Sequence, residues 1–341
     1  MKPSSSARRW LLPLTPLYRL ALALRDFRLR SGLEPVRRLR FPVVSIGNLS
    51  TGGSGKTPLT IALAKLLTAK RIQVAVLSRG YGRESRLAAR VNPEGTAEEF
   101  GDEPLLLARE TGLSVYVAPQ RYDARMLAEA ASQLTAEEDH QPIVHLLDDG
   151  FQHRQLARDV DILLLDCCDW QDRLLPAGNL REPLEAARRA SVIAIPADEP
   201  EFESELRTWG WQGPVWRLRR TMEVPTVDGP VAAFCGIARP EQFFSGLEAA
   251  GLRLTVGTAF PDHHRYSAHD IESLATAARA AKATALLTTE KDRVRMGRLA
   301  STPAALLPLL TARLAIEIED QDAAIDWLLG LLGLAPADSS L

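Results

Sequence analysis

Residues 50–57 read Ser50-Thr51-Gly52-Gly53-Ser54-Gly55-Lys56-Thr57, three glycines followed by a lysine and a hydroxyl. The apolar run Val43, Val44, Ile46 precedes them and a helical pattern follows. That is the strand–loop–helix setting of a phosphate loop. Glycines let backbone N–H groups turn inward on phosphates, and the helix N-terminus adds partial positive charge. Lys56 is then placed for the β- and γ-phosphates of ATP, and the Thr57 hydroxyl for Mg²⁺. The usual pattern begins with glycine where this chain has Ser50, but Gly52 and Gly53 keep the turn feasible.

A magnesium nucleotide needs acids, and Asp148-Asp149 ends the apolar run 143–147. That is where a phosphate-loop enzyme keeps the carboxylate that orients the metal; paired acids at a strand end can also be turn formers. Gln152 follows, a polar contact for metal or phosphate. Phosphoryl transfer to an alcohol also needs a group to receive the hydroxyl proton. Asp102, in Gly101-Asp102-Glu103-Pro104, and His263, in Asp262-His263-His264, are candidates. On spacing alone, a helix cap at Asp102 and surface positions for both histidines are the better reading. Ser78-Arg79-Gly80-Tyr81-Gly82-Arg83 offers cations and an aromatic ring for an anionic sugar or phosphate. Arg181-Glu182, after Leu175-Pro176-Ala177-Gly178, and Thr289-Glu290-Lys291-Asp292 are further charged clusters, for which a charged turn is the default reading.

The elements that position these residues alternate. Runs 41–46, 72–77, 143–147, 161–165 and 191–195 read as buried strands, and 58–70, 103–110 and 121–133 as helices between them. Such alternation predicts an α/β fold, a parallel sheet with helices on both faces and ligands at the carboxyl ends of its strands. The pattern restarts with strands at 231–235, 253–258 and 285–288 and helices at 240–250, 268–281 and 322–332. The expected organisation is an N-terminal segment 1–30, a phosphate-loop domain 31–214, a two-stranded or extended linker 215–229 and a smaller α/β domain 230–335. A chain of 341 residues exceeds the ~250–300 at which single cores stop growing.

With a formal net charge of -2, the chain has no global field for nucleic acid. Its three cysteines, Cys167, Cys168 and Cys235, form neither a disulfide framework nor a metal-ligand spacing; they read as buried thiols in a reducing compartment. Arg8-Arg9 and Trp10-Leu11-Leu12 open an apolar stretch through Leu24, followed by Arg25, Arg28, Arg30, Arg37, Arg38 and Arg40. Pro13, Pro16 and Arg19 interrupt it too often for the ~20 apolar residues of a spanning helix. A helix lying in the interface of an anionic bilayer fits better than a soluble capping helix.

These motifs, in this order, resemble the tetraacyldisaccharide 4′-kinase family of lipid A biosynthesis. The likeness rests on Gly47-Asn48 with residues 52–58, on 78–82, 101–104, 148–153, 175–178, 180–183, Asp262-His263 and 289–292, and covers most of the chain. The resemblance implies two α/β lobes, a phosphate-loop-NTPase-like one and a smaller one, joined by a β-ribbon. It implies phosphorylation of the 4′-hydroxyl of a tetraacyldisaccharide 1-phosphate by ATP and Mg²⁺ at the cytoplasmic face of the inner membrane. The implied base is Asp102 with His263. Lys56 and Arg181 offset charge; Thr57, Asp148, Asp149, Gln152 and Glu182 supply metal and phosphate contacts; Arg79, Tyr81 and Arg121 lie toward the lipid substrate. The implied partners are that lipid precursor and the anionic membrane surface, with no nucleic acid and no obligate protein partner. One alternative is a membrane-recruited ATPase switch that dimerises on nucleotide, but such switches carry a lysine where this chain has Thr51. Another is a cytosolic small-molecule kinase.

Overall fold

Six consecutive buried residues form β1 (Val43–Asn48), the strand that feeds the glycine loop. It lies between β5 (Ile143–Asp148) and β6 (Val160–Leu164), parallel to both, and cover on both faces buries all six of its residues, the polar Ser45 and Asn48 included. In this computed structural model, which describes residues 5–119, 123–124, 126–131, 141–301 and 307–334, the remaining strands extend that sheet on both sides. On one side stand β2 (Gln73–Ser78), β4 (Ser114–Val117) and the short antiparallel β3 (Ala89–Arg90). On the other stand β7 (Val192–Pro196) and β8 (Val215–Glu223). The second lobe contributes β9 (Val231–Cys235), β10 (Leu254–Ala259), β11 (Ala285–Thr289) and β12 (Leu309–Ile318), in the order β10-β9-β11-β12. The expected α/β architecture, a phosphate-loop lobe and a smaller lobe joined by a β-ribbon, is the fold observed.

The ribbon differs from the local linker expected at 215–229. Only 215–223 of that segment is strand, and its antiparallel partner is β12, with Leu218 opposite Ile318 and Met222 opposite Leu314. The alternating residues of β8 have to bury one edge and one face, and a strand far along the chain supplies the second half. The smaller lobe accordingly ends earlier than residue 335. After β12 the chain returns to the first lobe, where the helix Gln321–Leu331 packs Ile325, Leu328 and Leu329 into one core with Leu59, Leu63 and Leu105. β4 and β12 were not expected from the sequence: β4 has only four residues, and β12 interrupts its apolar run with Thr311, Arg313 and Glu317.

Helix α2 (Lys56–Ala69) starts at Gly55, whose φ of 93° only glycine adopts freely. It buries Leu59, Leu63 and Leu67 at helical spacing against the sheet. A four-residue helix α3 (Ala97–Phe100) ends at Gly101, where α4 (Asp102–Thr111) begins and buries Leu105, Leu106 and Leu107 in the same core. Phosphate loop and Asp102 therefore ride on helices that share one packed layer.

At the N-terminus a 3-10 helix (Ser5–Leu14) leads into α1 (Thr15–Arg30), which has no fully buried residue. Tyr18 and Leu22 pack on the cluster containing Leu49, Phe151 and Leu163, whereas Trp10, Leu14, Leu17, Leu20, Leu24 and Phe27 face outward. Among the described residues no helix is long and apolar enough to cross a membrane. The cysteines only partly follow expectation. Cys235 is buried in β9, but Cys167 is half-buried and Cys168 exposed, because they open a short helix (Cys167–Trp170) just beyond β6. The expected helix 121–133 lies partly outside the described residues.

His145 sits fully buried in β5 with no hydrogen-bond partner on either ring nitrogen, and burial holds its pKa down to about 4. The unfolded imidazole protonates near 6.5, so between those values the unfolded chain binds more protons and stability falls as pH falls. His145→Leu should remove this acid sensitivity: the stability gap between wild type and variant should shift by about 3 kcal/mol between pH 7 and pH 4. Denaturant unfolding across that range measures it, and a gap independent of pH would contradict it.

Candidate functional site

The site lies where the carboxyl ends of the strands of both lobes face each other. The segment 179–181 runs alongside the start of the glycine loop: Thr51 N donates to Asn179 O at 2.8 Å and Arg181 N to Leu49 O at 2.6 Å. That pairing places the Arg181 guanidinium over the loop. Its Nη1 and Nη2 donate to Asp149 Oδ2 and Oδ1 at 3.0 and 2.8 Å, a two-pronged contact, and Nη2 reaches Asn48 Oδ1 at 2.5 Å. Lys56 Nζ donates to Asn48 Oδ1 at 2.9 Å and lies 3.6 Å from Asp149. Two cations thus converge on one asparagine and one aspartate beside a loop of backbone donors. The ribbon closes the other side of the loop, Arg220 Nη2 donating to Ser54 O at 3.1 Å.

Asp148 and Asp149 have different environments despite being adjacent. Ile46 pairs with Asp148 across the sheet, and Asp148 is buried, accepting from Thr60 Oγ1 at 3.2 Å. Burial, then the charges of Glu103 and Asp149, push its carboxyl up to about 7. Asp149 is half-exposed and holds a left-handed backbone, φ 49°, which costs on the order of 1–3 kcal/mol in a non-glycine residue. That conformation turns the chain sharply enough for Gly150 N to bond Ile46 O and for Phe151 to pass Gly47, where any Cβ would sit 2.6 Å from Phe151 Cβ. Gln152 Nε2 donates to Asn48 O at 2.8 Å, leaving Oε1 buried without a partner. Thr57, Asp148 and Gln152 therefore offer hard oxygen donors, one of them a carboxyl whose proton a cation would displace, and this set fits Mg²⁺. Among the described residues no group of three or more histidines, cysteines or acids forms a metal cage.

On the same lobe as the phosphate loop, Asp102 opens α4 and is buried, its Oδ1 accepting from Glu103 N at 3.0 Å. His263, on the turn after β10 and also left-handed at φ 60°, brings Nδ1 to 3.1 Å from Asp102 Oδ2. The two sequence candidates for the proton acceptor do meet. Burial by itself would raise the Asp102 pKa, but the hydrogen bond with His263 and the charge of Arg295 outweigh it and hold the carboxyl well below the usual range. The same hydrogen bond raises His263, against burial and Arg295. Beside them Lys291 Nζ meets Glu103 Oε1 at 2.5 Å, which lowers the pKa of Glu103.

Arg79 and Tyr81 are exposed on the loop after β2, and the Tyr81 ring lies 5.2 Å from that of His263. Arg121 lies outside the described residues. Glu182 is buried, but both its oxygens are taken by guanidinium groups, Oε2 by Arg189 at 2.5 Å and Oε1 by Arg25 of α1. Sequence reasoning missed Arg295 and Arg25. Arg295 carries a legible signal, since it lies three residues after Asp292 in a helix that Thr289 caps; Arg25 carries none, because its partner is 157 positions away.

A family model described as Tetraacyldisaccharide-1-P 4′-kinase (LpxK) matches residues 7–333. A tetraacyldisaccharide 4′-kinase of Koribacter versatilis is 42% identical over 331 residues, covering 94% of this chain and 98% of its own. One from Anaeromyxobacter dehalogenans is 40% identical over 306 residues, covering 82% and 79%. Among solved structures, LpxK from Aquifex aeolicus in complex with ATP superposes with a TM-score of 0.71 at 32% identity, covering 95% of this chain and 99% of that one.

The raised pKa of Asp148 makes the metal-free protein sensitive to alkali. The folded chain holds a proton up to about pH 7 that the unfolded chain loses near 4, so stability falls as pH rises through that interval. Asp148→Asn should therefore melt higher than wild type at pH 8 without metal, by up to roughly 4 kcal/mol, and lose the stabilisation that Mg²⁺ with ATP gives. Thermal melts with and without MgATP check both; a variant no more stable than wild type at pH 8 contradicts the assignment.

Proposed function

The chain belongs to the tetraacyldisaccharide-1-P 4′-kinase family, and we propose that its phosphate-loop lobe holds the nucleotide while the proton acceptor is assembled from both lobes. It is a kinase that transfers the γ-phosphoryl group of ATP to a hydroxyl of the lipid A precursor. The observation that carries this reading is the 3.1 Å contact between Asp102 of the phosphate-loop lobe and His263 of the other.

Residues 50–57 cradle the triphosphate with backbone N–H groups and the positive end of α2. Thr57 and Asp148, with Gln152, would hold Mg²⁺, which when bound would supply charge neutralisation to the triphosphate. Lys56 and Arg181, which now share Asn48 and Asp149, exchange those partners for phosphate oxygens. The substrate's 4′-oxygen forms a bond to the γ-phosphorus, the bond from that phosphorus to the β-bridging oxygen breaks, and ADP leaves with its electron pair. The hydroxyl proton goes to the Asp102–His263 pair. Asp102 at a helix N-terminus stays ionised, and its charge stabilises the imidazolium that proton uptake creates. Arg79 and Tyr81 flank the approach to His263 and suit the anionic sugar. Glu182 serves this site through Arg25 and Arg189, bracing the segment that carries Arg181.

The acceptor is held in a bilayer by its acyl chains, and α1 provides a matching surface. Its outward face carries Leu17, Leu20, Leu24 and Phe27 together with Arg19, Arg28 and Arg30. An amphipathic helix of this kind lies in the interface of an anionic membrane, which supports a peripheral enzyme on the cytoplasmic face of the inner membrane.

Purified protein given MgATP and tetraacyldisaccharide 1-phosphate should yield the bisphosphorylated lipid; no product with intact ATP binding contradicts the reading. Asp102→Ala should lower kcat about 10²–10⁴-fold with nucleotide affinity unchanged, whereas equal losses in both would remove Asp102 from the chemistry. Replacing Leu17, Leu20 and Leu24 together by Glu should abolish co-sedimentation with phosphatidylglycerol vesicles while ATP binding persists; undiminished partition would count against the surface.

A further inference from the structure

The helix Glu290–Met296 follows β11, capped by Thr289, whose Oγ1 accepts from Asp292 N. Asp292 is fully buried and receives Gly236 N on both oxygens at 3.1 Å, which ties the helix to the turn after β9. One turn on, Arg295 projects from the same face with its side chain only 6% exposed. A buried guanidinium is costly unless its donors are matched, and here they are. Nη1 donates to Gly236 O at 2.5 Å and Asp292 Oδ1 at 3.0 Å, within its own lobe. The contacts to Asp102 cross the cleft. Nε donates to Asp102 Oδ2 at 2.7 Å, Nη2 lies 2.6 Å from the same oxygen, and Nη2 is 3.2 Å from His263 Nδ1.

Asp102 Oδ2 is therefore shared by two groups of the second lobe, one on a turn and one on a helix, and Oδ1 is held by Glu103 N. Arg295 is anchored rigidly by Asp292 and Gly236, so its fork dictates where that carboxylate sits relative to the imidazole. Resting on the assignment of Asp102 and His263 as proton acceptor, we propose that Arg295 is the positioning residue of that pair, fixing the Asp102 carboxylate against His263 when the lobes meet. Nothing in the phosphate-loop machinery requires an arginine at this place.

A cation there also acts on the proton affinity of both partners. Asp102 faces His263, Arg295 and Lys291; His263 faces Asp102, Asp262 at 4.0 Å, Arg295 and the Tyr81 ring. Arg295 lowers the proton affinity of both Asp102 and His263, so with the cation removed the pair protonates at higher pH. Activity requires the pair unprotonated, so its acid limb should move upward.

The test is the pH dependence of kcat for the full-length enzyme with MgATP and detergent-dispersed lipid acceptor, in wild type, Arg295→Met and Arg295→Lys. The methionine variant should lose activity and shift its acid limb up by about one pH unit, with KM for ATP unchanged. The lysine variant keeps a charge beside Asp292 and remains informative should the methionine variant fail to fold. It should hold the limb near the wild-type position yet turn over at least ~10-fold more slowly, because one ammonium cannot reproduce the fork. Full turnover in Arg295→Lys, or an unmoved limb in Arg295→Met, overturns the proposal. Asp102→Asn and His263→Gln run alongside. If both retain wild-type turnover, the underlying base assignment fails; if both lose it while the Arg295 variants behave as wild type, only the role of Arg295 fails.

Discussion

The carboxylate of Asp102 lies between two lobes and is held by groups from both. Its own helix begins at that residue and supplies the Glu103 N–H, while His263 arrives from a turn and Arg295 from a helix of the second lobe. Burying a carboxylate costs several kcal/mol unless it is paired, so an Asp102 without those partners would be poorly satisfied in a closed cleft. Lys291 with Glu103, and Arg313 with Glu110 and Glu290, extend the same contact along α4. The contact between the lobes and the pairing of the proposed proton acceptor are in this sense one interface.

The rest of the molecule conveys that geometry to the phosphate end. α4 and α2 share one core, so displacement of Asp102 is felt beneath the glycine loop. The β8–β12 ribbon runs between the lobes and touches the loop through Arg220 and through Ile316, whose Cδ1 leaves 3.0 Å for a Cβ at Gly55. Two strained residues, Asp149 and His263, stand at the two chemical ends, and each is clamped by neighbours that make its left-handed backbone worth its cost. On the far side, α1 reaches the phosphate site through Tyr18 Oη, which donates to Arg181 O at 3.0 Å, and through Arg25 on Glu182. The surface suited to a bilayer and the arginine suited to phosphate are two residues' reach apart.

Much of this was legible in the sequence because it is local. The glycine loop between a buried strand and an amphipathic helix announces its chemistry within fifteen or so positions, and the strand-end acids Asp148 and Asp149 follow the same logic. The parallel sheet was readable from β-branched runs, with boundaries off by one or two residues. What escaped were features whose cause is distant in the chain. β12 has the alternation of an ordinary amphipathic segment, and only its pairing with β8 makes it the second half of the ribbon. Glu182 is a metal or phosphate contact by resemblance, and its pairing with Arg25 arises only because α1 folds back over it. Asp102 and His263 are 161 positions apart, and no periodicity in either neighbourhood reports that they meet; the resemblance to a family did so instead.

The central claim is that Asp102 and His263 act as one unit across the cleft. A double-mutant cycle on kcat, with Asp102→Asn, His263→Gln and both together, measures that coupling directly. The double variant should be scarcely slower than the worse single variant, because either change alone disables the pair. Losses that multiply, each substitution costing the same with or without the other, would show two independent residues and contradict the account.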